Sequence, residues 1–304
     1  MPEINAITTT LAQLNHIILG KEHAIKLAFT CLLAKGHLLI EDLPGMGKTT
    51  LSHALSNSLG LRYQRIQFTN DLLPGDLLGI SIFDKNEGSF NFHPGPIFAN
   101  IVLADEINRA SPKTQSALLE AMEESQVTTE GKTRPLPSPF FVIATQNPSE
   151  QAGTYPLPES QLDRFMMRIS LGYPSKASEK QLLMGTSRRD LLKKIKATLN
   201  ADTLEKIQAL VGKVKCAESL IDYIYRLVEF TRIQSGPHHG LSPRAAMALL
   251  HAAKSWALIE GRNHVIPDDI QAVFPSVTEH RISGGQSHTD NPLSQNILKS
   301  VDIF

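Results

Sequence analysis

The stretch EDLPGMGKTT, residues 41–50, decides how the chain is read. It closes in Gly-Lys-Thr like a phosphate-binding loop of pattern G-x-x-x-x-G-K-[ST], but has Asp42 where that pattern has its first glycine. The pattern works because backbone N–H groups wrap the phosphates, the lysine reaches the outer phosphates and the hydroxyl binds Mg²⁺. Gly45, Gly47, Lys48 and Thr49 supply those parts, in a loop that also contains Pro44, Met46 and Thr50. HLLI before it reads as a short apolar strand. LSHALSNSLG after it repeats Leu51, Ala54, Leu55 and Leu59 at helical spacing and stops at Gly60. The helix start adds its dipole and unpaired N–H groups, so an anion has a place to sit. Asp42 stands at the loop's entry, outside the cradling residues. A strand end continues into a loop without a glycine, so the reading is an intact nucleotide site with a changed entry.

The chain has 304 residues, enough for two domains with their own cores. Lys plus Arg equals Asp plus Glu at 30 each, so no global field points to nucleic acid or to a basic partner. Cys31 and Cys216 lie outside any C-x-x-C spacing, which suits buried thiols in a reducing compartment. MPEINAITTTLAQLNH has no cationic start and no long apolar core. AFTCLLAKGHLLI is broken by Lys35 and His37, so no membrane insertion and a cytoplasmic location are expected.

Two helices are expected around Gly20, then strand and helix alternate to about residue 171, which predicts a parallel sheet covered on both faces. The strands are HLLI, YQRIQF (63–68), IVLA (101–104), FFVIAT (140–145) and FMMRISL (165–171). Residues 1–174 thus form an α/β nucleotide-binding domain, and 175–282 read as an all-helical domain. From Ser283 to 304 the chain is polar with little periodicity and is expected to fray. Within 71–98 a hairpin is expected, ISIFDK and SFNF joined around Asn86 to Gly88; VTTEGKTRPL (127–136) is a second, turning at Glu130 and Gly131.

IVLADE ends an apolar strand in two carboxylates, where open α/β sheets bind ligands. Asp105 suits the Mg²⁺ shell, and Glu106 suits orienting or deprotonating an attacking water. Taken alone the pair is weak evidence and reads sooner as a helix cap or surface feature; the loop at 45–49 reverses that. Gln146 and Asn147, ending FVIATQNP, offer amides to a γ-phosphate or the water, although Asn before Pro also starts turns. In GLSPRAAMALL, Ser242 and Pro243 start a helix whose first turn holds Arg244, where the dipole disfavours a cation, so a phosphate reached from the helical domain is its expected reward. Arg164, in QLDRF, is a candidate charge donated to a neighbouring subunit's nucleotide, and Arg109 is a second one.

LADEINRASPKTQSALLEAMEE, with ATQNP, PLPESQLDRF and GLSPRAA following in order, closely resembles the MoxR family of AAA+ ATPases over residues 16–282. The resemblance implies an AAA+ core with a five-stranded parallel sheet in the order 5-1-4-3-2, a helical lid and a ring, commonly a hexamer. By position, Lys48 and Thr49 match Walker A, Asp105 and Glu106 Walker B, Asn147 sensor 1, Arg164 the arginine finger and Arg244 sensor 2. Ile17, Ile18 and Gly20 fall where such proteins line the adenine pocket, and 71–98 matches an insert shared with magnesium chelatase subunits. The implied activity is hydrolysis of ATP to ADP with Mg²⁺, driving chaperone-like maturation of a separate client, often with a von Willebrand factor A domain partner.

Two other functions stay open: a nucleotide-gated scaffold with incidental hydrolysis, and the ATPase subunit of a metal chelatase. His238 and His239 have no third ligand at suitable spacing, and SRRDLLKKIK (187–196) reads as a solvated helix face. Phe90 and Phe92 are read as packed rather than pore-lining, although the resemblance keeps a substrate-touching role open.

Overall fold

The structure, a computed structural model, describes residues 2–147, 153–184, 188–234, 240–283 and 292–303. Helices α1 (Pro2–Ile17) and α2 (Glu22–Leu33) precede β1 (Leu38–Glu41), α3 (Lys48–Leu59), β2 (Tyr63–Gln67) and α4 (Pro74–Leu78). A hairpin, β3 (Gly79–Asp84) and β4 (Ser89–Pro94), leads to β5 (Ile101–Asp105) and α5 (Pro112–Glu124). A second, β6 (Gln126–Thr129) and β7 (Lys132–Pro135), leads to β8 (Phe141–Gln146), α6 (Glu159–Leu162) and β9 (Met167–Ile169).

The five sheet strands are parallel in the order β2-β5-β8-β1-β9, which is 5-1-4-3-2 counted along the chain from the β9 edge. Over the central strands both faces are apolar, as a parallel sheet between helices requires. Leu38, Ile40, Ile101, Leu103 and Ile143 face one core with α1 to α3, whereas Leu39, Val102, Ala104, Val142 and Ala144 face the other with α5. The last strand is shorter than its apolar run: Phe165 is already core on one face and Leu171 on the other.

The remaining helices are α7 (Lys176–Met184), α8 (Arg188–Lys194), α9 (Ala201–Lys213), α10 (Glu218–Gln234), α11 (Pro243–Ile259), α12 (Pro267–Ile282) and α13 (Leu293–Ser300). The apolar faces of α8 to α13 join the α1 to α3 core, which runs unbroken from Ile40 and Phe29 to Trp256 and Phe274. Arg281, side chain 6% exposed, pins α12 to the loop before β9: its Nε donates to Asp163 Oδ1 at 2.6 Å, and its Nη atoms reach the carbonyls of Asp163, Phe165 and Met166 at 2.9–3.2 Å.

Three expectations change. Residues 293–300 are helical rather than frayed, because the Glu279 carboxylate accepts the N–H groups of Leu293 and Ser294 at 3.1 and 2.9 Å and Ile297 is buried. Phe92 is packed against Phe98 and under the Arg134 guanidinium, but Phe90 is 71% exposed and touches Phe83 edge-on. Cys31 is buried, its thiol pushed up by desolvation, while Cys216 is half-buried. The second hairpin turns at Glu130 and Gly131, both at positive φ as a two-residue turn of this hand needs. Among the described residues no helix is long and apolar enough to cross a membrane.

Candidate active site

Parallel pairing aligns the carboxyl ends of β1, β5 and β8, with Glu41 opposite Gln146 and Gln67 opposite Asp105. The loop leaving β1 enters α3 at Lys48 through Gly45 and Gly47, at φ 85° and 96°, a region closed to most side chains. Together they enclose a cavity of about 330 Å³ walled by Pro44, Gly45, Gly47, Lys48, Thr49 and Thr50 and, opposite, by Asp105, Glu106 and Asn147. Met46 packs against the core instead.

Lys48 Nζ donates to the Asp42 carbonyl at 2.6 Å and to Asn147 Oδ1 at 3.1 Å. Burial lowers its pKa, opposed by the carboxylates of Asp42, Asp105, Glu106 and Glu41. Asn147 Nδ2 in turn donates to Glu106 Oε1 at 3.0 Å, so one amide links the lysine to the acid. Glu106 sits at φ 57°, a strained setting for a non-glycine residue. Its N–H donates to Thr145 Oγ1 at 2.9 Å, and that hydroxyl donates to Asp105 Oδ1 at 2.6 Å.

Asp42 answers the oddity in the loop. Its carboxylate accepts Ser170 Oγ at 3.1 Å, the N–H of Gly172 at 3.1 and 3.2 Å, and the N–H of Leu171. From the other side Lys21 Nζ donates to the carbonyls of Gly172 and Tyr173 at 2.9 and 2.6 Å. The residue replacing the first glycine therefore ties the loop to the segment that leads into α7.

Sequence reasoning missed Arg65 and Gln67. Arg65 donates Nε and Nη2 to Asp105 Oδ2 at 3.0 and 2.6 Å and Nη2 to Gln67 Oε1 at 2.9 Å; Gln67 Nε2 donates to Glu106 Oε2 at 3.0 Å. The signal was present: β2 carries polar residues at alternate positions on one face, beside the acids. Thr49 and Asp105 share the cavity and offer the hard oxygen donors that Mg²⁺ takes beside phosphates, and Asp105 already attracts a guanidinium, so the residues fit that ion. Among the described residues no cluster of three or more His, Cys, Asp or Glu could cage a metal. His238 and His239 lie outside the described residues.

The arginines are placed otherwise. Arg164 and Arg244 are absent from the phosphate cavity and meet at Glu123, beside a cavity at the amino ends of β1, β8 and β9. The reward expected for Arg244 is thus supplied within the chain by a carboxylate, not by the chain's own phosphate site. Arg109 Nη1 contacts Glu106 Oε2 of the same chain at 2.9 Å. Ile18 is buried in the core, and Gly20, at φ 69°, turns against Ser178 at the start of α7. Neither lines the phosphate cavity.

A strand, glycine loop and helix facing an Asp-Glu pair, on a sheet of this order with a helical lid, define a P-loop NTPase of the AAA+ type. Residues 37–167 match the model of the ATPase family associated with various cellular activities (AAA), and residues 229–301 that of the AAA lid domain. Chaperone MoxR1 of Mycobacterium tuberculosis is 40% identical over 291 residues, covering 92% of this chain and 76% of the relative. Bacillus subtilis YeaC is 47% identical over 269 residues, 88% of this chain and 84% of the relative. A crystal structure from Cytophaga hutchinsonii, provisionally assigned as an ATPase, has a TM-score of 0.87 at 38% identity, covering 99% of this chain and 95% of its own. The chain belongs to the MoxR family of AAA+ ATPases.

Proposed function

We propose that the chain hydrolyses ATP at the junctions of a ring of identical copies, six by the resemblance, and uses turnover to mature or activate a separate client protein. One observation carries this reading. Lys48, Asp105, Glu106 and Asn147 lie at the carboxyl ends of the strands, while Arg164 and Arg244 lie at the amino ends. A complete set therefore needs the carboxyl edge of one copy against the amino edge of the next.

In that arrangement Lys48 exchanges the Asp42 carbonyl and Asn147 Oδ1 for phosphate oxygens. Glu106, steadied by Asn147 and Gln67, orients the attacking water and takes its proton, and the neighbour's Arg164 and Arg244 neutralise charge growing on the γ-phosphate. Mg²⁺, for which Thr49 and Asp105 are the holding residues, supplies charge neutralisation on the phosphates when bound. The similarity to chaperone MoxR1 of M. tuberculosis supports the chaperone-like role. A separate von Willebrand factor A domain protein is the partner class the resemblance implies, and a cytoplasmic location belongs to the same reading.

The test pairs sedimentation with ATP turnover. Glu106→Gln is expected to bind ATP and lose turnover by roughly 10²-fold or more. Arg164→Ala is expected to assemble and lose roughly 10³-fold or more. Mixed together, the two inactive variants should regain turnover, since a Glu106→Gln chain lends its arginines to an intact loop. A mixture that stays inactive, or an Arg164→Ala ring that turns over normally, would overturn the shared site and favour the scaffold function.

A further inference from the structure

The cavity at the amino ends of β1, β8 and β9 has a volume of about 450 Å³. Four cations on its wall, Lys35, Arg164, Arg244 and Arg281, face two carboxylates, Asp163 and Glu123. The two acids do different things. Asp163 takes Arg281 and helps fix the loop before β9 to α12. Glu123, at the end of α5, receives Arg164 Nη2 on Oε2 at 3.1 Å and Arg244 Nη2 on Oε1. One carboxylate thereby brings together a guanidinium of the α/β part and one from the first turn of α11.

We propose that Glu123 is a positioning residue, which sets Arg164 and Arg244 side by side so that both address one phosphate of the neighbouring copy. The proposal rests on the shared-site reading above. Two guanidinium groups brought together repel, and the carboxylate between them offsets that repulsion. Each arginine meets Glu123 through a single terminal nitrogen, so neither fork is closed around it as a bidentate pair would close it. Stability alone does not account for the arrangement. The side chains of Arg244, Glu123 and Arg164 are 51%, 33% and 29% exposed, and ion pairs so open to water contribute little, whereas the junction is already held by a continuous apolar core and by Arg281.

The experiment measures assembly, KM and kcat for Glu123→Ala and Glu123→Gln. Glu123→Ala is expected to assemble, keep KM within about twofold and lose roughly 10- to 100-fold in kcat, the cost of misplacing a catalytic group by about an ångström. Glu123→Gln, which keeps the length and one acceptor oxygen, should recover part of that loss. Mixed with Glu106→Gln chains, which bring intact arginines and an intact Glu123, Glu123→Ala chains should regain turnover, placing the defect on the arginine side of the junction. Wild-type kcat in Glu123→Ala, or no recovery on mixing while Arg164→Ala does recover, would overturn the proposal and leave the shared site standing. If Arg164→Ala also fails to recover, the shared-site reading falls first. Should both Glu123 variants unfold, the residue is a structural tie and the proposal is wrong.

Discussion

Asp42→Gly restores the strict phosphate-loop pattern, and the structure predicts that it harms the protein. Asp42 is 8% exposed and its carboxylate satisfies the N–H groups of Leu171 and Gly172 and the hydroxyl of Ser170. Glycine leaves these donors without their acceptor. An orphaned buried donor costs about 1–3 kcal/mol. Counting buried Leu171 in full, half-buried Gly172 at less and exposed Ser170, whose hydroxyl water can serve, at little, the loss comes to roughly 3 kcal/mol, with glycine's extra chain entropy on top. In urea this is a midpoint lowered by about 1 M, for an unfolding slope of about 3 kcal/mol per M. Asp42→Asn, keeping one acceptor oxygen, should lose about half as much. Nucleotide affinity, measured in parallel, should not improve, because the Asp42 carbonyl rather than its Cα hydrogen meets Lys48. An Asp42→Gly protein as stable as the parent that binds ATP more tightly would refute the reasoning and make the aspartate a tolerated departure from the pattern.

Two other outcomes follow from buried groups. His37 accepts the Val142 N–H on Nδ1 at 3.0 Å and so donates Nε2–H to the Met122 carbonyl at 3.2 Å; burial lowers its pKa from 6.5 to about 4. The unfolded chain then binds the proton more readily, so this contribution is complete above pH 6.5 and is lost as the pH falls toward 4, by about 3 kcal/mol. Unfolding midpoints across that range should show it. The slope should shrink in His37→Gln, leaving the part from His280, which is shifted the same way. Gly20→Ala places a Cβ 2.3 Å from Ser178 Oγ at φ 69°, and is expected to lower stability by about 2 kcal/mol, partly recovered by Ser178→Ala; an unchanged melting temperature would contradict it.

The central strands were legible because a buried parallel strand must be apolar on both faces, and IVLA and FFVIAT lie within a residue of β5 and β8. Their order came from the resemblance, since apolar runs do not say which strand pairs with which. The loop and the Asp105–Glu106 pair were legible because strand, turn and helix are contiguous in sequence. What stayed hidden depends on distant partners. The Arg244 partner lies 121 residues away, and α13 is capped by a carboxylate 14 residues upstream on another helix. Arg65 and Gln67 were overlooked because their strand was read for its apolar character, although it forms the sheet edge beside the acids.

The division of the arginines from the phosphate loop has a topological cause. In a parallel sheet every residue just before a strand lies at one edge and every residue just after a strand at the other, separated by the strand's length, roughly 15 Å for five residues. Arg164 stands three positions before Met167, the first residue of β9, while Asp42, Glu106 and Asn147 each follow directly on a strand end. A side chain cannot cross that distance, so no rotamer of Arg164 reaches the phosphates cradled by its own loop. Arg244 faces no such restriction, because it belongs to a helical domain free to dock on either edge. Its meeting with Arg164 on Glu123 is therefore the more informative placement: the helical domain is docked through α2 and β9 so that its arginine joins the amino edge. On the proposed shared site, a chain built this way would carry half of one site on each edge. The arrangement closes when like copies stack edge to edge around an axis, a heterologous contact of the kind that generates rings.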